Sequence, residues 1–267
     1  MSNINSEKLM VLIVAYNAET TIEDLLNKIP EKIWKNSEEI IVSDDNSQDD
    51  TFHVAENWNK THKKKNLKVV RHKENKGYGG NQKWGYSYAI KKGYSHVAMV
   101  HGDVQYSPRD IERLLNYFDE DNVGLVFGSR IAGHPLKGGM PKYKFLGNKF
   151  LTFIENLVLR QKLSEYHSGF RIYSCDSLKK IPFNMNSDDF YFDTQIIIQM
   201  VLASQKIKEG PIDTVYGDEK CYVKVIPYGL NILNELVIYL LNKFNIKKYG
   251  RYELNKKWWK KSCWRNL

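Results

Sequence analysis

LMVLIVAYN, residues 9–17, is the stretch on which the fold turns. Seven consecutive apolar positions suit a strand covered on both faces, and the run stops abruptly at Tyr16-Asn17. The pattern then repeats. A helical stretch over 20–29 leads to EIIVS (39–43), a helix from about residue 50 leads to LKVV (67–70), and a helix across 81–92 leads to HVAMV (96–100). A further helix over 108–118 precedes VGLVF (123–127). Strand, helix and strand in succession predict an α/β architecture, a mainly parallel central sheet with helices on both faces. Ligands of such sheets gather where the carboxyl ends of the strands open into loops.

Those ends concentrate polar residues. Tyr16-Asn17 follows the first strand, Asp44-Asp45-Asn46-Ser47 the second, His101-Gly102-Asp103-Val104-Gln105 the strand at 96–100, and Gly128-Ser129-Arg130 the strand at 123–127. Within DDNSQDDT (44–51), Asp49 and Asp50 suit a helix cap and first turn as well as they suit a ligand. Asp44 and Asp45 sit directly on the strand end, where a carboxylate can accept hydrogen bonds from a base or ribose. Asp103 is a hard oxygen ligand of the kind Mg2+ or Mn2+ takes together with substrate phosphates, and its position sets it across the crevice from Asp45. Arg130 in GSR and Arg171 in GFRIY could each serve a diphosphate or a carboxylate. DDFYFDTQIIIQM (188–200) reads as an acidic loop entering an apolar helix, so Asp193 is either a first-turn carboxylate or a general base in the cleft.

Other chemistries lose their support. NKGYGGNQ (75–82) is glycine-rich ahead of a helix, but Gln82 stands where a dinucleotide fingerprint needs its third glycine. GxxxxGK[ST] and GxSxG do not occur. Cys175, Cys221 and Cys263 are odd in number and widely spaced, which favours a reducing compartment over a disulfide framework or a metal knuckle.

The 267 residues are 42% hydrophobic and 27% charged, which predicts one large domain and excludes a disordered or fibrous chain. The net charge of +9 is concentrated at one end: residues 245–267 carry eight Lys or Arg against Glu253, a net of +7 that leaves +2 for the rest. The N-terminus lacks the pattern of a secretory signal, and the longest apolar stretch, 229–244, is interrupted by Asn231, Asn234, Glu235 and Asn242. Leu233, Val237, Leu240, Leu241 and Phe244 recur at helical spacing and predict a helix packed on the core. The following tail interleaves Lys256, Lys257, Lys260, Lys261 and Arg265 with Trp258, Trp259 and Trp264, a composition suited to an anionic membrane surface.

Tyr16-Asn17, DDNSQDDT, NKGYGG, HGDVQYSP, GSR, HSGFR, FDT and VYGDEK follow one another in the order seen in inverting family 2 glycosyltransferases of the GT-A fold. Over residues 9–225 the chain most resembles the dolichol-phosphate mannosyltransferase branch. The resemblance implies that Tyr16 and Asp45 hold the base and ribose of a nucleotide-sugar, with Val14 and Ala18 lining the pocket and Asp44 and Gly102 in the same set. It implies that Asp103 is the second aspartate of a DxD metal motif, followed by Gln105, and that Arg130 and Lys220 contact the donor diphosphate. Asp193 matches the base of relatives that glycosylate hydroxyls. Two positions depart from the pattern. His101 replaces the first aspartate of DxD, leaving one carboxylate and an imidazole for the metal, and Thr214 stands where the mannosyltransferase relatives carry arginine.

The expectation is a catalytic domain over 1–228 and an amphipathic helix with a basic aromatic tail over 229–267. The resemblance implies a UDP- or GDP-sugar donor, Mg2+ or Mn2+, and a polyprenyl phosphate acceptor at the cytoplasmic face of a membrane. A phosphate acceptor arrives ionised, whereas a sugar hydroxyl needs Asp193 as base. Nucleic acid is excluded as a partner, because carboxylates at three strand ends repel phosphates and no RNA-binding signature occurs.

Overall fold

A computed structural model describes residues 8–214, 216 and 223–254. Its elements run β1 (Leu9–Ala15), α1 (Ile22–Lys28), α2 (Glu31–Asn36), β2 (Ser37–Asp44), α3 (Thr51–His62), β3 (Leu67–Arg71), α4 (Gly77–Lys92) and β4 (His96–His101). There follow α5 (Asp110–Leu115), β5 (Val123–Ser129), α6 (Lys142–Leu159), β6 (Arg171–Ser174), α7 (Cys175–Leu178), α8 (Phe192–Leu202), β7 (Lys206–Pro211) and α9 (Val225–Lys243).

The strands form one sheet in the order β3-β2-β1-β4-β6-β5-β7. Every pairing is parallel except those of β6, which runs antiparallel to both β4 and β5. Alternation along β1 explains its unbroken apolar run: Val11 and Ile13 enter one core layer with Leu25, Trp34 and Trp58, while Met10 and Leu12 enter the other with Tyr86, Phe192 and Ile196. Both faces are therefore covered, as expected, and the carboxyl ends of β1, β2 and β4 share one rim.

All five expected strands are present, and two more join them. β6 is four residues long and carries an arginine, and β7 reads KIKEGP, so neither offers an apolar run. Helix α6 also went unread, although its apolar residues recur at helical spacing.

The expected C-terminal helix requires a correction. It starts at Val225, so the boundary drawn between 228 and 229 falls inside its first turn. Its buried face is Ile232, Glu235, Leu236 and Tyr239, whereas Val237 and Phe244 of the expected core stripe are exposed. The reason lies beyond the helix: Glu235 accepts hydrogen bonds from Arg251 (3.1 Å) and Tyr252 (2.7 Å), which satisfy its charge inside the protein. Lys220 and most of the basic tail lie outside the described residues.

Candidate active site

The adjacent aspartates at the end of β2 have different fates, because neighbouring strand residues point to opposite faces. Asp44 is fully buried. Its Oδ1 accepts from the Ser47 amide (3.1 Å) and the Ser47 hydroxyl, and its Oδ2 lies 3.5 Å from Arg71 Nε. It closes the turn and is not among the residues that line the neighbouring cleft, contrary to the expectation. Asp45 does reach the cleft, where its Oδ1 accepts from the Lys76 amide at 2.8 Å. Burial raises its pKa, against the lowering effect of the Lys76 and Gly77 amides. Asp49 accepts from the amides of Glu19 (3.2 Å) and Thr51 (3.0 Å), a capping role, and it also lines the cleft. Asn17, at φ +50°, donates from its amide to Ser47 Oγ and accepts from the Gln48 amide, each at 2.9 Å. These bonds stitch the ends of β1 and β2 into one wall.

The cleft they border has a volume of about 940 Å³. Val14, Tyr16, Ala18, Asp45, His101, Gly102 and Asp103 of the expected set line it, joined by Asn75, Gly77, Tyr78 and Phe190. Gly102 anchors the loop after β4 by donating to Val14 O (2.9 Å) and accepting from Thr21 Oγ1 (2.8 Å). Asp103 Oδ1 accepts from the Gln105 amide at 3.1 Å, so Gln105 positions the aspartate through its backbone and lies outside the lining. Val104 between them has φ +60°, a costly conformation for a β-branched residue and one that accumulates at functional loops.

His101 turns toward Tyr78, whose hydroxyl lies 3.3 Å from its Nε2. A methyl group on Gly169 would lie 2.2 Å from the His101 ring, so the glycine is what admits the imidazole. Burial pushes the His101 pKa down, opposed by Asp103 and Asp193, which leaves a neutral ring near neutrality. Among the described residues no three His, Cys, Asp or Glu side chains form a metal cluster.

The two arginines are both spoken for. Arg130 donates from Nε to Glu165 Oε1 (2.7 Å), from Nη1 to Tyr216 (3.1 Å) and from Nη2 to His167 O (3.0 Å), and it pairs with Glu165 a second time through Nη2. Although burial disfavours its charge, Arg130 holds the Glu165 carboxyl below the usual range. The expected diphosphate contact is therefore a buried ion pair outside the cleft lining. Arg171, fully buried, donates to the carbonyls of Ser168 and Tyr166 (2.8 Å each) and lies 3.3 Å from Asp193 Oδ2. Its open choice between diphosphate and carboxylate is settled in favour of the carboxylate.

Asp193 stands in the first turn of α8, behind Tyr78 as seen from the cleft. Tyr78 donates to its Oδ2 at 2.8 Å, while its Oδ1 is buried with no hydrogen-bond partner among the described residues. Tyr78 was missed in the sequence, where only the glycines around it were weighed. Those glycines serve packing: a Cβ on Gly79 would lie 2.4 Å from Ser187 O, so α4 reaches the 187–188 backbone only without one. The Gly79 amide then donates to Asp188 O at 2.7 Å.

An acidic, aromatic cleft at the carboxyl ends of β1, β2 and β4, on a sheet reversed once at β6, is the arrangement shared with nucleotide-sugar-dependent glycosyltransferases of the GT-A fold. The chain belongs to glycosyl transferase family 2, whose pattern it matches over residues 10–182. It is 30% identical over 218 residues to an uncharacterised protein of Methanocaldococcus jannaschii, covering 82% of this chain and 86% of that one. It is 29% identical to the UDP-N-acetylglucosamine–dolichyl-phosphate N-acetylglucosaminyltransferase of Methanococcus voltae, covering 80% of this chain and 88% of the relative. In structure it resembles the glucosyl-3-phosphoglycerate synthase of Mycobacterium tuberculosis, solved with Mn2+, UDP and phosphoglyceric acid, with a TM-score of 0.66 at 18% identity over 92% of this chain and 81% of that one.

Proposed function

We propose that the enzyme transfers a sugar, with inversion, from a nucleoside-diphosphate donor to a polyprenyl (dolichyl-type) phosphate. The observation that carries the acceptor class is the setting of Asp193: its charge already has Tyr78 and the buried Arg171 as partners. A nucleophile that arrives ionised, as a lipid phosphate does, needs no base from it. The dolichyl-phosphate substrate named for the Methanococcus relative supports the same reading.

Tyr16 offers a ring to the base and Asp45 an acceptor to the ribose, while Val14, Ala18 and Gly102 shape the pocket. Asp103 keeps Oδ2 for a divalent cation, which fits a Mg2+ or Mn2+ ion shared with the donor diphosphate rather than an all-protein cage. Such an ion, when bound, stabilises the diphosphate leaving group. His101 presents its Nε2 to the Tyr78 hydroxyl. Arg130 reaches the donor only if it exchanges Glu165 for phosphate, and Lys220 is proposed to supply the second positive charge. The tail after 254 is proposed to add attachment to the cytoplasmic face of a membrane.

A sugar hydroxyl is the second reading. Asp193 Oδ1, buried and without a partner, favours it, since that oxygen could take a hydroxyl proton. Nucleotide release from UDP- and GDP-sugars with Mn2+ decides between them. Turnover with polyprenyl phosphate that falls roughly 100-fold in Asp103→Ala is expected. Turnover with soluble sugars and none with polyprenyl phosphate would overturn the proposal.

A further inference from the structure

Two neighbouring helices expose apolar rows that the core does not use. On α6, Tyr143, Leu146, Phe150, Phe153 and Leu157 recur at intervals of three and four and are each 61–71% exposed. On α9, Ile226, Leu230 and Val237, with Phe244 just past its end, are each more than half exposed. The helices pack on one another near Leu151 and Gly229, and both turn their opposite faces inward. Glu155 of α6 accepts from Thr194 of α8, and α9 is seated through Ile232, Leu236 and Tyr239. A soluble surface rarely leaves apolar rows of this length uncovered.

Charge identifies what covers them. Residues 136–162 contain six Lys or Arg and one acid, Glu155; residues 223–252 contain five and one acid, Glu235. Both acids are buried, so the charges these segments show to solvent are basic. Lys142, Lys149, Arg160, Lys224 and Lys243 are exposed beside the rows. A second copy placed face to face would set these lysines against one another, whereas anionic headgroups would neutralise them.

We propose that α6 and α9 form an interfacial platform that seats the enzyme on an anionic lipid surface. By length and composition α9 could cross a membrane, but its seated face and the Glu235–Arg251 pair hold it against the body, so it lies along the interface. The platform also adjoins the transfer site. Tyr228, in the first turn of α9, lies 3.1 Å from His167 Nδ1, and the His167 carbonyl accepts from Arg130. A lipid phosphate rising from the surface would thus meet the cleft on the Arg130 and Asp193 side. This placement rests on the lipid-phosphate reading of the site, while the platform itself stands on the exposed rows and their charge.

Flotation of the full chain with phosphatidylcholine vesicles, with and without phosphatidylglycerol, tests it. Binding to the anionic vesicles is expected, reduced roughly tenfold or more by combining Leu146→Ser, Phe150→Ser and Phe153→Ser. Lys142→Glu with Lys149→Glu should weaken the preference for phosphatidylglycerol, the basic tail supplying what remains. Binding that the serine variant leaves unchanged would assign it to another part, such as the tail, and overturn the proposal. So would absent binding combined with a wild-type dimer that the serine variant dissolves in light scattering. Thermal shift with UDP-sugar and Mn2+, done on the same proteins without lipid, reads the donor site separately. Loss of that shift with flotation intact would remove the enzyme reading and leave the platform.

Discussion

The phenolic hydroxyl of Tyr78 donates to Oδ2 of Asp193 at 2.8 Å across 115 residues of sequence, tying the glycine-rich start of α4 to the first turn of α8. It joins the cleft, which Tyr78 lines, to the carboxylate behind it. A hydrogen bond to a charged group contributes about 1.5–3 kcal/mol. Tyr78→Phe should therefore lower stability by about 1.5 kcal/mol or more, read as a lower urea midpoint, while kcat per folded enzyme stays within about tenfold of wild type. An unchanged midpoint would show that the bond plays no part in stability.

Asp193 is also the counter-ion of Arg171, so its removal has two consequences. Asp193→Asn leaves a fully buried guanidinium without its carboxylate and should cost about 3 kcal/mol of stability, seen as a lower urea midpoint. Turnover must then be expressed per folded enzyme. On the lipid-phosphate reading it stays within about tenfold of wild type, and a loss of about 100-fold or more points to a hydroxyl acceptor.

Arg130 and Glu165 form the other buried pair, with Glu165 fully enclosed and also accepting from Asn148 (2.7 Å). Glu165→Gln should destabilise the protein by about 3 kcal/mol, measurable by chemical denaturation. If Arg130 engages the diphosphate, donor binding tightens at the same time, because the competing carboxylate is gone. Isothermal titration with UDP-sugar reads that sign.

His72, His96 and His101 are all held neutral by burial, His96 down to about 4. Their folded pKa values lie below the unfolded value, so the unfolded chain binds more protons and stability falls as pH drops below about 6.5. His96 alone should remove about 2 kcal/mol between pH 7 and pH 5. Asp45 acts in the opposite sense: its raised pKa contributes stability below the unfolded carboxylate range and loses it as pH rises. Urea denaturation of wild type and His96→Gln across this window checks the assignment, and the variant should show the shallower decline.

Gly79→Ala places a methyl group 2.4 Å from a backbone carbonyl and 2.8 Å from Phe192 Cβ, neither able to retreat cheaply. A loss of about 2 kcal/mol or more is expected, with reduced turnover because Tyr78 and Asp193 are the chain neighbours of Gly79 and Phe192. Gly93→Ala meets nothing within 4 Å and carries only the strain of its φ of +75°. It should cost about 1 kcal/mol and leave kcat unchanged. Comparing the two in denaturation and kinetics separates packing from backbone strain.

Much of the cleft lining was legible in the chain, because a residue at the carboxyl end of a buried strand is placed by the strand itself. Val14, Tyr16, Asp45, His101, Gly102 and Asp103 all arrive where the alternation of strand and helix puts them. The failures share a cause. Asp44 differs from Asp45 by one step of the pleat, and only the partners Ser47 and Arg71 show which way it faces. Arg130 suits a diphosphate or a carboxylate by sequence alone, and only Glu165, 35 residues away, shows which it takes. The apolar residues of α9 suggested a core stripe, because nothing local to them announces that Glu235 turns inward.

The sequence by itself determined the parallel sheet, the rim that carries the site and the family, since these follow from short-range hydrophobic period and the order of motifs. Tertiary structure alone decided which charges are spent on one another. Arg171 with Asp193, Arg130 with Glu165 and Glu235 with Arg251 become pairs only when burial removes water as their alternative partner. The same packing left the outer faces of α6 and α9 apolar, basic and uncovered.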